Sequence, residues 1–276
     1  RGGGFPPPGY LPLLVFIDTP PRRPPVSLFR LLATREVRDN LPETLPLKAR
    51  EFAIPGFPPP TLSSRVEPPR RKDAFVADYV RSHPGESGII YCATRKNVDA
   101  VREILQDEGI AAARYHAGMT NEERRQSQND FIYDTAPVIV ATNAFGMGID
   151  KSNVRYVIHY NMPQSMENYY QEAGRAGRDG LPSQCILLFS PQDIMINRFL
   201  LEHKEVDDLD DEAAELLRER DNQRLQAMAN YCQTTGCLRN YILRYFGEEP
   251  AAPCGSCGNC DRVYAETDMT AQAKWM

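Results

Sequence analysis

What this sequence lacks narrows its reading before any motif is considered. No apolar run approaches the ~20 residues a membrane span needs, and the opening Arg1-Gly2-Gly3-Gly4 has no apolar core behind it like that of a signal peptide. There is no initiating Met, so a fragment is expected. Basic residues are not in excess: 32 Lys and Arg face 37 Asp and Glu, a formal net charge of −5. A nucleic-acid surface would therefore have to be a local patch. The seven cysteines are an odd number, and four fall late in the chain in a metal-like pattern. That favours a reducing cytoplasm over a disulfide framework. The 276 residues leave room for one large domain or two ordinary ones.

Residues 1–62 carry proline clusters (Pro6-Pro7-Pro8, Pro20-Pro21, Pro24-Pro25, Pro58-Pro59-Pro60), which block helix and central-strand interiors. Only a strand over 11–17 and a helical turn or two over 34–40 are expected there. From Lys72 the pattern changes. Helical periodicity is predicted over 72–83, 97–108, 121–133, 165–178 and 192–203, and strands over 88–92, 112–115, 137–142, 156–160 and 184–189. Thr120 or Asn121 caps the third helix. Strands alternating with helices give an α/β fold, a parallel sheet covered on both faces with ligands beyond the carboxyl ends of its strands. An acidic run over 206–212 leads into helices predicted over 212–233 and 237–246, the latter ended by Gly247.

The stretch Gln171-Glu172-Ala173-Gly174-Arg175-Ala176-Gly177-Arg178-Asp179-Gly180 is the focus. On a continuous helix, Gln171, Arg175 and Arg178 share a face. Gly174 and Gly177 would each cost that helix about 1 kcal/mol relative to alanine, which is tolerable where another surface must come close. Two forked guanidinium groups suit a phosphate. The competing reading is a helix end whose arginines pair with Glu172 and Asp179.

Cys254-Gly255-Ser256-Cys257-Gly258-Asn259-Cys260 has C-x-x-C-x-x-C spacing, with glycines that permit tight turns. Three such thiolates suit one face of a tetrahedral site. Cys237 is favoured as the fourth ligand, and Cys232 competes. Arg239, Arg244 or Arg262 could offset the negative charge. An iron–sulfur cluster uses similar spacing, but nothing else here calls for electron transfer, so Zn²⁺ is favoured. Thr142-Asn143-Ala144-Phe145-Gly146-Met147-Gly148-Ile149-Asp150 follows a strand directly, and its glycines let backbone N–H groups face an anion or nucleic-acid backbone. Asp150 is placed to hold an arginine or bind a ribose. The loops at Thr94-Arg95 and His116-Ala117-Gly118 lie at neighbouring strand ends.

Together these motifs resemble the second RecA-like lobe of a RecQ-family DNA helicase followed by that family's zinc-binding subdomain. The likeness rests on Tyr91-Cys92-Ala93-Thr94-Arg95, Tyr115-His116-Ala117-Gly118, residues 140–150, His159-Tyr160-Asn161-Met162-Pro163, residues 169–180 and the cysteine cluster. The resemblance implies a RecA-like parallel sheet and then a small helical zinc subdomain. It divides the chain into a degenerate first-lobe remnant (1–62), the second lobe (63–203), the zinc subdomain (204–262) and a tail (263–276). It implies that Arg175 and Arg178 reach the phosphates of ATP clamped between two lobes, with Gln171 positioning that segment and Gly148 and Asp150 adding to the nucleotide site. Thr94, Arg95, His116, Thr142, Asn143 and Gly146 would hold single-stranded DNA. Cys237, Cys254, Cys257 and Cys260 match the zinc ligands.

The sequence also departs from that family. No G-x-x-x-x-G-K-[ST] phosphate loop and no Asp-Glu-Ala-His metal motif occurs. Both belong to the first lobe, of which Arg1–Tyr10, Leu31–Asp39 and Gly56–Pro60 look like eroded pieces. The family function is ATP-driven 3′-to-5′ unwinding of DNA in repair and recombination, in the cytoplasm and at the bacterial nucleoid. The chain alone is expected to have no ATPase, ATP and Mg²⁺ requiring an intact first lobe. A non-catalytic DNA-binding or interaction module with a zinc staple is the alternative.

Overall fold

The computed structural model describes residues 61–145, 151–203, 211–250 and 252–262, together with two short strands, β1 (Phe16–Ile17) and β2 (Phe29–Arg30), which pair antiparallel. β1 is the end of the strand expected over 11–17. The turn expected over 34–40 lies outside the described residues.

Six strands build the main sheet: β3 (Leu62–Glu67), β4 (Ser87–Tyr91), β5 (Ala112–Tyr115), β6 (Val138–Ala141), β7 (Val154–His159) and β8 (Ser183–Leu188). Their order is β3-β8-β7-β4-β6-β5, with every pairing parallel. Helices α1 (Lys72–Ser82), α2 (Arg95–Asp107), α3 (Asn121–Ile132), α4 (Met166–Ala173) and α5 (Pro191–Glu202) intervene. A sheet covered on both faces needs apolar residues on both sides of each strand, and every residue of β4 and β6 is buried. Ile90, Val140 and Ile158 enter one layer with Val76, Val80, Val98, Val101 and Leu105. Ile89, Ile139 and Val157 enter the other with Phe131, Met166 and Tyr169. Gly88 is required by packing: a Cβ there would stand 1.9 Å from the Tyr156 ring.

Helix starts follow side-chain chemistry. Thr94 caps α2 by accepting from Asn97 N, and Thr120 and Glu123 form a reciprocal capping box on α3. Ser190, Pro191 and Asp193 do the same for α5.

The sequence pattern predicted five strands for this sheet; β3 is the sixth. Its burial alternates through Leu62, Ser64 and Val66, a period-two signal diluted by two serines and an arginine. β3 is an edge strand, yet it is covered. α6 (Asp211–Gln233), α7 (Leu238–Tyr245) and α8 (Gly258–Asp261) carry Leu225, Met228, Tyr231, Leu238, Ile242 and Cys257 into the same core as Leu62 and Val66. Ser63 Oγ donates to Ser256 O at 2.9 Å, and Arg262 donates to Val66 O at 3.1 Å and Glu67 at 2.8 Å. The cysteine region thus closes an edge that would otherwise expose unpaired backbone.

The helix predicted over 165–178 needs correction. α4 ends at Ala173, with Gly174 as its C-cap. Tight bonds from Arg175 N to Glu172 O (3.2 Å) and Ala176 N to Ala173 O (3.2 Å) close the last turn, and Gly177 then takes φ +67°. Gln171, Arg175 and Arg178 therefore do not share a helix face. Two glycines in four residues end the helix, because each gives up backbone entropy without adding packing.

Candidate phosphate site and metal centre

Residues 174–180 form a turn laid across the sheet's α4 face. Gly177 N donates to Val154 O (2.9 Å) and Asp179 N to Ser152 O (3.3 Å). The turn's backbone thus bonds to the first residue of β7 and to the segment just before it, while the Arg175 side chain reaches Tyr91, the last residue of β4. Neither carboxylate of the stretch takes the partner the helix-end reading assigned it. Asp179 is held by both its oxygens to Arg155 Nη2 at 2.6 Å, which draws its carboxyl below the usual range. Glu172 Oε2 lies 2.9 Å from His159 Nε2. Arg175 Nε is buried and finds no hydrogen-bond partner among the described residues. The Arg175 guanidinium lies beside the Tyr91 hydroxyl; burial pushes that phenol's pKa up, and Arg175 pulls against it. Tyr91 Oη donates to Phe145 O at 3.1 Å. Gln171 is half-buried on α4 and Arg178 is exposed beyond the turn. Gly146, Gly148 and Asp150 lie outside the described residues.

The three loops do meet at the carboxyl end of the sheet. β4, β6 and β5 are adjacent, and Thr142 N donates to Tyr115 O (3.1 Å), joining two of the loops. Arg95 and Asn143 are exposed, Thr94 is half-buried and Thr142 is buried. His116 faces inward: it is 6% exposed, its Nδ1 accepts from Gly118 N (3.2 Å), and its Nε2 lies 3.4 Å from Asp99 Oδ1. Asp99 also accepts from Arg114 at 2.7 Å. Burial raises the Asp99 pKa, but Arg114 and His116 outweigh it and lower it overall.

Sequence reasoning missed the buried polar chain beneath these loops. Asn161 Oδ1 accepts from Ala93 N (3.1 Å) and Asn97 Nδ2 (3.0 Å), and its Nδ2 donates to Asp193 Oδ1 (2.9 Å). Asp193 Oδ2 takes Lys72 Nζ at 2.7 Å. Buried groups of this kind must all be satisfied, so α1, α2, β7 and α5 jointly fix the Thr94–Arg95 corner. The available signal was a polar residue, Asn161, directly after an apolar strand.

The cysteine prediction converges in space. The sulfurs of Cys237, Cys254, Cys257 and Cys260 all lie within 4.8 Å of one another, and Cys254 Sγ and Cys260 Sγ are 3.9 Å apart. A tetrahedral ion with Zn–S bonds of about 2.3 Å sets its sulfurs about 3.8 Å apart. A cubane cluster would hold its thiolates further apart, around its own irons and sulfides. Backbone donors face two of the sulfurs: Leu238 N to Cys257 (3.4 Å) and Cys254 N to Cys237 (3.3 Å). Asn259 Nδ2 braces the cluster on Thr234 O (2.7 Å) and Gly236 O (2.8 Å). Burial opposes ionisation at Cys254 and Cys260 alike. Bonds from Ser256 and Cys237 nonetheless bring Cys254 down to about 7, while Cys260 is held up at about 12. The donors fit a structural Zn²⁺. The competitor Cys232 is buried on α6 outside the cluster, and burial raises its pKa. Arg262, one of the expected charge partners, is paired with Glu67 instead.

Comparison with known proteins agrees with this architecture. Residues 71–180 match the helicase conserved C-terminal domain, and residues 191–261 match the RecQ zinc-binding region. An ATP-dependent DNA helicase RecQ of Bacillus subtilis is 43% identical over 252 residues, which are 91% of this chain and 41% of that protein. Its counterpart in Haemophilus influenzae is 37% identical over 86% of this chain and 37% of that protein. S. cerevisiae Dbp5, in a structure bound to RNA and ADP BeF3, superposes with a TM-score of 0.52 over 70% of this chain and 53% of that one at 18% identity, which speaks for the fold alone. The class defined by sheet, loops and thiol cluster is a RecA-like helicase C-terminal lobe joined to a zinc-binding region. Within that class, the chain belongs to the RecQ family. It spans about two fifths of the length of the bacterial relatives it matches.

Proposed function

We propose that this chain supplies the second half of an ATP clamp in a RecQ-type DNA helicase, with Arg175 and Arg178 contacting nucleotide phosphates and the carboxyl-end loops holding single-stranded DNA. The observation that carries this reading is Arg175: its Nε is buried and unpartnered among the described residues, while the carboxylates beside it are taken by His159 and Arg155. An arginine whose guanidinium meets the Tyr91 phenol rather than a carboxylate among the described residues is suited to stabilise charge that develops on a transferring phosphoryl group. Gln171, one turn earlier on α4, orders that segment, and Gly148 and Asp150 complete the nucleotide contacts.

Arg95 and Asn143 are exposed beside Thr94 and Thr142 at one end of the sheet, as a strand-tracking surface needs. Gly146, outside the described residues, is assigned to the same DNA contact, and His116 shapes that surface from within through Asp99. ATP and Mg²⁺ are bound only with a first lobe that supplies the phosphate loop; this sequence has no G-x-x-x-x-G-K-[ST] motif. The chain by itself therefore turns over no ATP, and the unwinding, 3′-to-5′ and serving DNA repair in the cytoplasm, belongs to the assembled enzyme. The working division is 63–203 for the lobe, with Leu62 joining it as the first residue of β3, and 204–262 for the zinc region, the two sharing one core.

Single-stranded DNA binding and DNA-stimulated ATP hydrolysis, measured with and without an added phosphate-loop lobe, test the reading. DNA binding by the chain, and hydrolysis only with the added lobe, are expected. Hydrolysis by the chain alone would refute the shared clamp.

A further inference from the structure

Within the arginine turn, the backbone of Arg175 is tied to Glu172. Its carbonyl accepts the Arg175 N–H at 3.2 Å, so the Arg175 backbone is placed by wherever Glu172 sits. The Glu172 side chain is clamped from the sheet: His159 Nε2, on the last residue of β7, lies 2.9 Å from Glu172 Oε2. The His159 ring is fully buried. It stacks on Tyr91 (5.7 Å between centroids, 20°) and tilts against Tyr169 (5.0 Å). Tyr91 is also the residue whose hydroxyl lies beside the Arg175 guanidinium and donates to Phe145 O. His159 thus touches both supports of Arg175: Glu172, whose main-chain carbonyl holds the Arg175 backbone, and Tyr91, whose phenol faces its side chain. A strand residue facing an apolar core would fill this space at less cost with leucine, because a buried ionic pair must first be desolvated. Retaining one here calls for a purpose other than packing.

We propose that His159 is a positioning residue: through Glu172 and Tyr91 it fixes the end of α4, and with it the placement of Arg175 for phosphate contact. The inference rests on the phosphate reading of Arg175 above. The groups that face the imidazole are Glu172 and Tyr169 from α4, Cys185 from β8, whose sulfur lies 3.8 Å from Nδ1, and Tyr91 from β4; Arg175 lies behind Tyr91. Burial alone would lower the His159 pKa. The Cys185 and Glu172 contacts reverse that and raise it to about 9, from an ordinary 6.5. The sign follows from linkage: a folded-state pKa above the unfolded value gives a clamp that is complete below the unfolded pKa and lost as pH rises through about 9.

The test is amide hydrogen exchange on this chain, with protection factors for residues 173–178 corrected for intrinsic rates and compared with β6 amides as a reference. In the unmodified chain, protection of 173–178 should fall roughly tenfold or more between about pH 7 and about pH 10, with β6 unchanged. In His159→Gln, whose amide can still donate to Glu172 but carries no charge, and in Glu172→Gln, protection should be low and flat over the same range. Nitrogen NMR of the unmodified chain should show His159 with both ring nitrogens protonated near pH 7. Flat protection in the unmodified chain, or an unchanged pH profile in His159→Gln, overturns the proposal. If either variant fails to fold, the profile and the ring signal of the unmodified chain still decide. Exchange reads the placement of the turn whether or not nucleotide binds, so it is separable from failure of the phosphate reading, which the ATP hydrolysis experiment detects.

Discussion

The thiol cluster and the arginine turn lie on the same α/β scaffold and differ in how they are closed. Around the cluster, all four sulfurs converge within 4.8 Å, and backbone N–H groups and an asparagine brace them from inside the chain. Around the turn, the local carboxylates are engaged by Arg155 and His159, and Arg175 keeps a buried Nε without a partner among the described residues. A site that completes its own donor set is a structural staple. Around the turn the carboxylates are spent on His159 and Arg155, and the Arg175 guanidinium meets a phenol, Tyr91, instead.

Removing the metal breaks the comparison most directly. Structural Zn²⁺ contributes about 10–16 kcal/mol of apparent binding free energy in small zinc modules. Chelation, or Cys257→Ser, is expected to unfold α7 and α8 and uncover β3, seen as lost metal content and lost amide protection over 238–262. Retention of full protection without metal would end the staple reading. The arginine turn should respond in the opposite way: Arg175→Ala is expected to leave the melting temperature nearly unchanged. In an assembly that supplies the phosphate loop, it should lower ATP turnover by about 10³-fold or more. A large loss of stability with unimpaired turnover would reverse the two roles.

Smaller effects sharpen the picture. Gly177 has φ +67°, and a Cβ there would meet Ser183 Oγ at 2.4 Å and Leu181 O at 3.0 Å. Gly177→Ala should therefore cost about 1–2 kcal/mol in denaturant unfolding and shift the turn. Asp193→Ala strands Lys72 and Asn161. It should cost about 2 kcal/mol and weaken single-stranded DNA binding severalfold through the Thr94–Arg95 corner, measured by titration. The mildest change is Arg95→Ala, with stability unaltered and the slope of log K against log salt reduced by about 0.7 if Arg95 contacts one phosphate.

Much of this could be read before folding was considered. Valine and isoleucine runs mark β4, β6 and β7, because a sheet buried on both faces admits little else. Thr94 and Thr120 announce helix starts through their hydroxyls. The cysteine spacing announced the metal centre and favoured its fourth ligand, Cys237. β3 was not legible, because serines fill two of its positions and its burial depends on α7 and α8, far along the chain. Nor was the break after Ala173, where helical spacing in Gln171, Arg175 and Arg178 outweighed the glycines between them.

The sequence by itself determined the alternation of strands and helices from β4 onward, the three closely spaced thiols and the family resemblance, since these follow from local periodicity and from side-chain chemistry at short spacing. Only the tertiary structure decided which charges are consumed within the fold. Arg155 reaches Asp179 across 24 residues, His159 reaches Glu172 across 13, and Asp193 reaches Lys72 across 121. Ion pairs form wherever packing desolvates two groups together, whatever their separation along the chain. Which arginines are consumed by carboxylates within the fold therefore cannot be read from their neighbours in sequence.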